Sequence, residues 1–187
     1  MEIDIVPFQA RLERIAFNNH MQIVNFANIE KLGIVQLKPY TRAMVIGQSF
    51  GNDLMERFNE NIFNYHLKLI KEHISNIAYK IFHILSIEGY KALILPPLFL
   101  LENDFYSDSN KYIAKLAGVG NIGKNNFFIS PTYGVKIVIA SILTNAPLEF
   151  DPEFKIDLCK KCTICENNDY INSIKKCPYG KDKKFLK

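Results

Sequence analysis

The chain has 187 residues, of which 48% are hydrophobic and 22% charged, and it carries a formal net charge of +4 at pH 7. This balance predicts one globular domain, alone or with a small appendage, and excludes a disordered or low-complexity chain. No apolar run approaches the roughly 20 residues of a membrane-spanning helix, and the N-terminal residues lack the apolar core of a secretory signal. We therefore expect a cytoplasmic protein with no membrane partner.

Alternating helix-like and strand-like patterns fill the first 150 residues. Helices are predicted where apolar residues recur every three or four positions, and strands where short apolar runs are bounded by Gly, Pro or polar residues. The alternation predicts a layered α/β (α+β) body. In chain order the patterns predict a helix over 7–20, strands over 33–37 and 43–46, a long helix over 58–88, a strand over 91–95, a loop over 102–110, a short helix over 111–116 capped by Asp108 and Ser109, and strands over 126–130 and 136–144.

The helix over 58–88 is the strongest of these predictions. Gly89 is suited to end it, and Pro96 and Pro97 are expected to stop the strand that follows. One face of the helix is predicted to enter the core, and its residues are Ile62, His66, Leu69, Ile70, His73, Ile77, Ile81, Ile84 and Leu85.

The composition of the chain changes at Asp151. All four cysteines and many lysines lie beyond it, so we predict a boundary near residue 150, with an α/β body over 1–150 and a cysteine-rich segment over 151–187. Six lysines and one acidic residue lie between Lys175 and Lys187, which leaves the body close to neutral. This basic tail is either a solvated end or a contact surface for RNA or another acidic partner.

Gly118, Gly120 and Gly123 form a G-x-G-x-x-G pattern that overlaps a G-x-x-x-x-G-K-N sequence ending at Asn125. Phosphate-binding loops of both kinds follow a strand and open a helix. Here a helix-like segment precedes the glycines and a strand-like segment follows them, so we reject nucleotide binding. Two interpretations stay open: tight packing at a helix-to-strand corner, or close approach of the backbone to a flat ligand, with Lys124 meeting an anionic group.

The four cysteines carry the most specific chemistry in the sequence. Cys159, Cys162, Cys165 and Cys177 have the spacing C-x2-C-x2-C-x11-C, and Pro178 follows the last one. In a cytoplasmic chain this pattern indicates a metal site rather than disulfides. Structural zinc sites usually pair two C-x2-C corners, whereas three closely spaced thiolates with a distant Cys-Pro fit one ferredoxin-type [4Fe–4S] cluster. The cluster is the favoured interpretation and zinc is the alternative.

Several motifs, in order, resemble the epoxyqueuosine reductase family, which is related to the corrinoid-dependent reductive dehalogenases. Family members carry Ala-Gly-Leu-Gly-Trp-Ile-Gly-Lys-Asn, a following Tyr-Gly, a Leu-Thr-Asp-x-Pro-Leu segment and two ferredoxin-type cysteine runs. The resemblance is specific over residues 111–178 and weaker over 43–97. The matching stretches are Lys111–Asn125 (KYIAKLAGVGNIGKN), Phe128–Gly134 (FISPTYG), Ile142–Leu148 (ILTNAPL) and the cysteine run.

The resemblance implies a nitroreductase-like α/β scaffold that holds a cobalamin, to which iron–sulfur clusters supply electrons. It also implies an electron donor of ferredoxin or flavodoxin type. The substrate of the family is an epoxide on a modified tRNA base, so a modified nucleoside or other small molecule, with a tRNA contact, is the expectation here. On the matching motif positions, the corrinoid would contact Gly118, Gly120, Gly123, Lys124 and Asn125, and the cluster would be held by Cys159, Cys162, Cys165 and Cys177.

The sequence departs from the family pattern at several positions. Asn121 replaces a Trp, Asn145 replaces an Asp, and four cysteines provide for one cluster rather than two. Longer family members have an Asp-Tyr-His stretch whose Asp is the expected proton donor, and its nearest match here is Asn64, Tyr65 and His66. An amide is not a useful proton donor, which leaves Tyr65 or His66 as substitutes, although His66 is expected in the core.

Two functional hypotheses follow from the sequence. The leading one is a single-cluster iron–sulfur oxidoreductase that passes electrons to a corrinoid or directly to a substrate. The second is a non-catalytic binding module, in which the cysteines hold zinc or a structural cluster and the basic tail engages a partner or RNA. A simple electron carrier would have the cluster without a corrinoid. Metal identity and corrinoid binding distinguish these hypotheses.

Overall fold

A four-stranded antiparallel sheet with helices on both faces organises the fold. The computed structural model describes residues 7–32, 37–51, 54, 60–98, 105–166 and 176–179. The layered α/β body predicted from the sequence is confirmed. Its elements are α1 (Phe8–Asn18), β1 (Ile23–Asn28), β2 (Arg42–Ser49), α2 (Glu60–Ile87), β3 (Ala92–Leu98), α3 (Phe105–Leu116), β4 (Asn121–Ile122), β5 (Phe128–Ile129) and β6 (Ile137–Thr144), with short 3-10 turns at Glu30–Leu32 and Ile164–Glu166.

The main sheet has the strand order β1-β2-β6-β3, and each neighbouring pair is antiparallel. β6 occupies a central position and all eight of its residues are buried. A strand with neither face exposed to water has a continuous run of apolar residues in the sequence. This run is why a strand over 136–144 could be predicted. β4 and β5 form a separate two-stranded ribbon beside α3.

Two hydrophobic cores lie on opposite faces of the main sheet. Val138, Ala140 and Ile142 of β6 face the core formed with α1 and α2. Ile137 and Leu143 face the second core, which is formed with α3 and the residues that follow it. This alternation follows from the period of two in a strand. The buried Cys159 and Cys177 belong to the first core, so the cysteine segment is part of the packed structure.

The buried face of the long helix α2 matches the prediction in its C-terminal half but not in its N-terminal half. Between residues 61 and 69 only Phe63 is buried, and its ring packs edge-on against Phe50 with the centroids 5.8 Å apart. Ile62 is 54% exposed, and His66 is exposed as well, so the prediction of a core His66 is wrong. The C-terminal half packs against β3 and β6 and has the expected buried residues, Ile77, Ile81 and Leu85 among them. Gly89, with φ +84°, ends the helix as expected.

Three further predictions need correction. β3 runs through Pro96 and Pro97, because it is an edge strand and its register with β6 shifts between Leu95 and Leu98, where prolines need not donate ladder hydrogen bonds. α3 begins at Phe105, so Asp108 lies inside the helix rather than at its cap. The strand expected over 126–130 is only Phe128–Ile129, and residues 33–36 of another predicted strand lie outside the described residues.

None of the helices in the described part of the chain is both long and apolar enough to cross a lipid bilayer.

Candidate cysteine site

The four cysteines predicted as metal ligands come together in the fold as free thiols. Cys159 and Cys177 are buried, with 8% and 7% of their surface exposed, and Cys162 and Cys165 are half-buried. Each of the other three raises the pKa of Cys177, so the thiols of the cysteine run lie within electrostatic range of it. The cysteine run and the distant Cys177 therefore lie in the same region of the fold.

The buried thiols are weak acids in the absence of a cation. Burial raises the pKa of Cys177 to about 11, and its effect outweighs the hydrogen bond that the Tyr179 N–H donates to the sulfur. Burial also raises the pKa of Cys159, against the lowering effect of a hydrogen bond from the Lys124 N–H. A bound metal or cluster supplies the positive charge that holds such thiols deprotonated. Cys159 and Cys177 therefore lack the exposed environment and lowered pKa of a reactive thiolate, and the four thiols could hold a metal.

The turn over Gly123–Asn125 packs directly on the cysteine run. The Lys124 N–H donates to Cys159 Sγ, and Lys124 Nζ donates to the Cys162 carbonyl oxygen at 3.0 Å. Asn125 Nδ2 donates to Cys165 Sγ at 3.3 Å. The Gly-rich turn and the cysteines, which the sequence suggested as separate sites, are in direct contact in the structure.

Gly123 packs closely against the Cys159 sulfur. A Cβ atom at Gly123 would lie 2.7 Å from Ile129 Cδ1, the end of a flexible side chain, and 3.0 Å from Cys159 Sγ, which would have to move by a few tenths of an ångström. The absence of a side chain at this position therefore favours the close approach of the turn to the sulfur.

The other two glycines of the pattern serve packing within the chain. A Cβ atom at Gly118 would lie 2.6 Å from the Pro152 carbonyl oxygen, and φ there is +77°. At Gly120 the added atom would lie 2.2 Å from the Ile129 carbonyl oxygen. The turn follows α3 and leads into short strands, so it lacks the strand-to-helix order of a phosphate-binding loop. The corner-packing interpretation accounts for Gly118 and Gly120.

Backbone and carboxylate contacts tie the segment before the cysteines to the body. Asp151 Oδ2 accepts hydrogen bonds from the Phe26 N–H at 2.8 Å and from Asn25 Nδ2 at 3.3 Å. The Phe154 N–H donates to the Lys115 carbonyl oxygen at 3.1 Å. These contacts fix the segment across β1 and α3. The domain boundary near residue 150 stays a prediction.

Further contacts hold the cysteine loop in shape. Asn121 Nδ2 donates to the Ile156 carbonyl oxygen at 3.0 Å, and Asp157 Oδ1 accepts from the Cys159 N–H at 2.9 Å. The Tyr179 hydroxyl donates to the Leu158 carbonyl oxygen. The Asn121 side chain therefore supports the segment that leads into the cysteine run.

Among the described residues, no group of three or more His, Cys, Asp or Glu side chains is placed so that it could hold a metal ion as it stands. A zinc site would place four sulfurs about 2.3 Å from one ion. A [4Fe–4S] cluster instead takes each thiolate on a different iron, so its four sulfurs stand further apart. The donor set is all thiolate, with two sulfurs buried and two half-buried, a set that could hold either a [4Fe–4S] cluster or a zinc ion.

The residues considered as proton donors lie on the exposed part of α2. The Tyr65 and His66 rings contact each other with centroids 6.0 Å apart, and Tyr65 is 61% exposed. Asn64 lines a pocket of about 510 Å³ along α2, which includes no residue of the cysteine site. His73 is half-buried and its Nε2 lies 3.0 Å from the Asn19 carbonyl oxygen, an arrangement that anchors α2 to the end of α1.

Sequence analysis missed a buried polar group on α3. The Lys111 side chain is 1% exposed and its Nζ lies 3.3 Å from Asp108 Oδ1. The neighbouring Asn110 is fully buried and donates from Nδ2 to the Pro96 carbonyl oxygen at 2.9 Å. The i, i+3 spacing of Asp108 and Lys111 was the available signal, but a charged pair of this kind usually lies on a solvated face.

Comparison with known proteins identifies what the chain resembles. No protein-family model matches it. It is 36% identical over 72 residues to epoxyqueuosine reductase from Listeria monocytogenes, which is 38% of this chain and 17% of that protein. It is 28% identical over 102 residues to epoxyqueuosine reductase from Pseudomonas aeruginosa, which is 54% of this chain and 26% of the relative.

Solved structures share the fold. Epoxyqueuosine reductase from Streptococcus thermophilus superposes with a TM-score of 0.56 and 18% identity, over 86% of this chain and 51% of that one. The catabolic reductive dehalogenase NpRdhA, in complex with 3-bromo-4-hydroxybenzoic acid, gives a TM-score of 0.66 at 17% identity, over 82% of this chain and 24% of the other. The chain thus resembles epoxyqueuosine reductases and spans about half or less of the relatives it matches.

Proposed function

We propose that this chain is an iron–sulfur oxidoreductase related to the epoxyqueuosine reductases, with one [4Fe–4S] cluster bound by Cys159, Cys162, Cys165 and Cys177. The observation that carries the proposal is the contact between the Gly123–Asn125 turn and the cysteines. Sequence likeness to curated reductases supports the same conclusion. When bound, such a cluster supplies one-electron transfer at a potential set by its surroundings.

The chain's own residues prepare the site for that cluster. Burial of Cys159 and Cys177 excludes water from two of the four sulfurs, and N–H groups of Lys124 and Tyr179 point at the same two sulfurs. Donors of this kind offset the negative charge of a thiolate-bound cluster. The Asn125 amide provides a third donor at Cys165.

The electron donor is proposed to be a small acidic redox protein of ferredoxin or flavodoxin type. Lys155, Lys160 and Lys161 are exposed in the segment that contains the cysteine run, and Lys176 is exposed beside Cys177. Positive charge around a cluster favours encounter with an acidic carrier. We expect the rate of cluster reduction by such a carrier to fall as the salt concentration rises.

The final electron acceptor is proposed to be a corrinoid or a small substrate such as a modified nucleoside. Support for the corrinoid comes from the likeness to the reductases and to a B12-dependent dehalogenase. Support for a nucleoside comes from a structural neighbour solved with an epoxyqueuosine-modified tRNA stem loop. At Gly118, Gly120 and Gly123, other atoms of this chain lie where a Cβ atom would be. Any corrinoid contact at this turn would therefore be made through its backbone or through Lys124.

Metal analysis of protein purified without oxygen tests the cluster. We expect about four irons per chain, a similar amount of acid-labile sulfide and a broad visible absorption. Cys177→Ser is expected to lower the iron content, while Thr163→Ala, an exposed change within the cysteine run, is expected to leave it unaltered. One zinc per chain without iron would refute the redox proposal and support the binding-module hypothesis.

Addition of hydroxocobalamin to the same protein tests the corrinoid. A changed cobalamin spectrum, together with a stoichiometric complex on gel filtration, is expected if the corrinoid is the acceptor. An iron-loaded protein that leaves the cobalamin spectrum unchanged would indicate an electron carrier or direct substrate reduction.

A further inference from the structure

The Asn125 side chain connects the Gly-rich turn to one cysteine sulfur. Its Nδ2 atom donates to Cys165 Sγ at 3.3 Å, and its Oδ1 atom accepts a hydrogen bond from the Phe127 N–H at 3.3 Å. The second contact determines which end of the amide faces the sulfur, because a backbone N–H can only pair with the oxygen. The side chain is half-buried, so water competes only partly for the donor.

A hydrogen bond to a cluster ligand acts on the two oxidation states unequally. Reduction adds negative charge, part of which resides on the cysteine sulfurs. A donor therefore stabilises the reduced state more than the oxidised state and raises the reduction potential. Half-buried surroundings strengthen this effect because the local dielectric is lower than that of water.

We propose that Asn125 is a positioning residue that raises the reduction potential of the cluster through its hydrogen bond to Cys165. This inference rests on the proposed function. It gives Asn125 a role different from the corrinoid contact that the family resemblance implied. Lys124 reaches the cysteine run differently, through its backbone N–H and through Nζ on the Cys162 carbonyl oxygen, so the amide of Asn125 is the donor that a substitution can remove selectively.

Two variants isolate the donor. Asn125→Asp keeps the oxygen that accepts from the Phe127 N–H and removes the N–H donor, while Asn125→Leu removes the donor without adding charge. The matched control is Asn76→Asp, the same change at an exposed position of α2. The readout is the ratio of oxidised to reduced cluster, measured by electron paramagnetic resonance in a redox titration of the iron-loaded protein.

At the midpoint potential of the wild type, both variants are expected to raise the ratio of oxidised to reduced cluster by roughly threefold to tenfold. A tenfold change corresponds to about 59 mV for a one-electron couple. Asn76→Asp is expected to leave the ratio unchanged. Iron-loaded variants with the wild-type ratio would overturn the inference and leave the proposed function standing, whereas a wild-type chain that binds no cluster would overturn both.

A measurement on the wild type covers the case in which the variants fail to load iron. With the side-chain amide nitrogen of asparagine labelled with nitrogen-15, pulsed electron paramagnetic resonance of the reduced cluster is expected to detect a hyperfine coupling to that nitrogen. Absence of the coupling in a fully loaded cluster would overturn the inference.

Discussion

Gly120→Ala tests whether the Gly-rich turn is built for packing within the chain. The added Cβ would lie 2.2 Å from the Ile129 carbonyl oxygen and 3.0 Å from Ser130 Cα. Ordinary van der Waals contact begins near 3.4 Å, so one backbone segment must move by more than an ångström. Both neighbours are backbone atoms of the buried β5 region, and neither can move aside as a flexible side chain would. We expect a loss of about 3 kcal/mol or more in the free energy of unfolding.

Thermal unfolding of the metal-free protein measures this loss. For a chain of this size 1 kcal/mol corresponds to about 2–4 °C in Tm, so Gly120→Ala is expected to lower Tm by roughly 6 °C or more. Gly51→Ala is the matched control, because nothing lies within 4 Å of its added Cβ. A Gly120→Ala protein with wild-type Tm that failed only in cobalamin binding would refute the packing argument and favour a ligand role for the turn.

Three further predictions concern the anchor, the helix face and the thiols. Asp151→Ala leaves the Phe26 N–H without its acceptor and is expected to cost about 1–3 kcal/mol in urea unfolding; an unchanged midpoint would mean that the segment is not held by this carboxylate. Ile77→Ala, in the core, is expected to cost about 2–5 kcal/mol, and His66→Ala, on the surface, less than about 0.5 kcal/mol; a loss at His66 as large as the loss at Ile77 would restore the prediction that both lie in the core. Because burial holds the pKa of Cys177 at about 11 rather than 9.0, the folded metal-free chain keeps a proton that the unfolded chain loses. Its free energy of unfolding should fall between pH 9 and 11, and by less in Cys177→Ser; equal slopes would contradict the burial of this thiol.

Elements with a strong local pattern could be predicted from the sequence. The continuous apolar run of β6 and the periodicity of α2 identified both elements, and Gly89 identified a helix end. β1 was missed because its polar Asn25 and Asn28 interrupt the apolar pattern of a six-residue strand. Pairing partners determine whether such a segment becomes a strand, and they are distant in sequence.

The candidate site could be predicted only in parts. The spacing of the cysteines predicted a metal site, which stays a prediction, and the glycines predicted either tight corner packing or a close approach of the backbone to a ligand. The hydrogen bond from Asn125 to Cys165 and the fit of Gly123 against Cys159 join segments far apart in the chain. No local pattern encodes such a contact. The buried face of the N-terminal half of α2 was predicted wrongly for the same reason, since the layers packed against a helix decide which apolar residues are covered.

Native mass spectrometry of the protein purified without oxygen is the most direct test of the central claim. The account predicts a single species whose added mass equals one [4Fe–4S] unit per chain, and loss of that mass in the Cys177→Ser protein. A chain that carries one zinc ion, or that remains free of metal after anaerobic reconstitution with iron and sulfide, would contradict it.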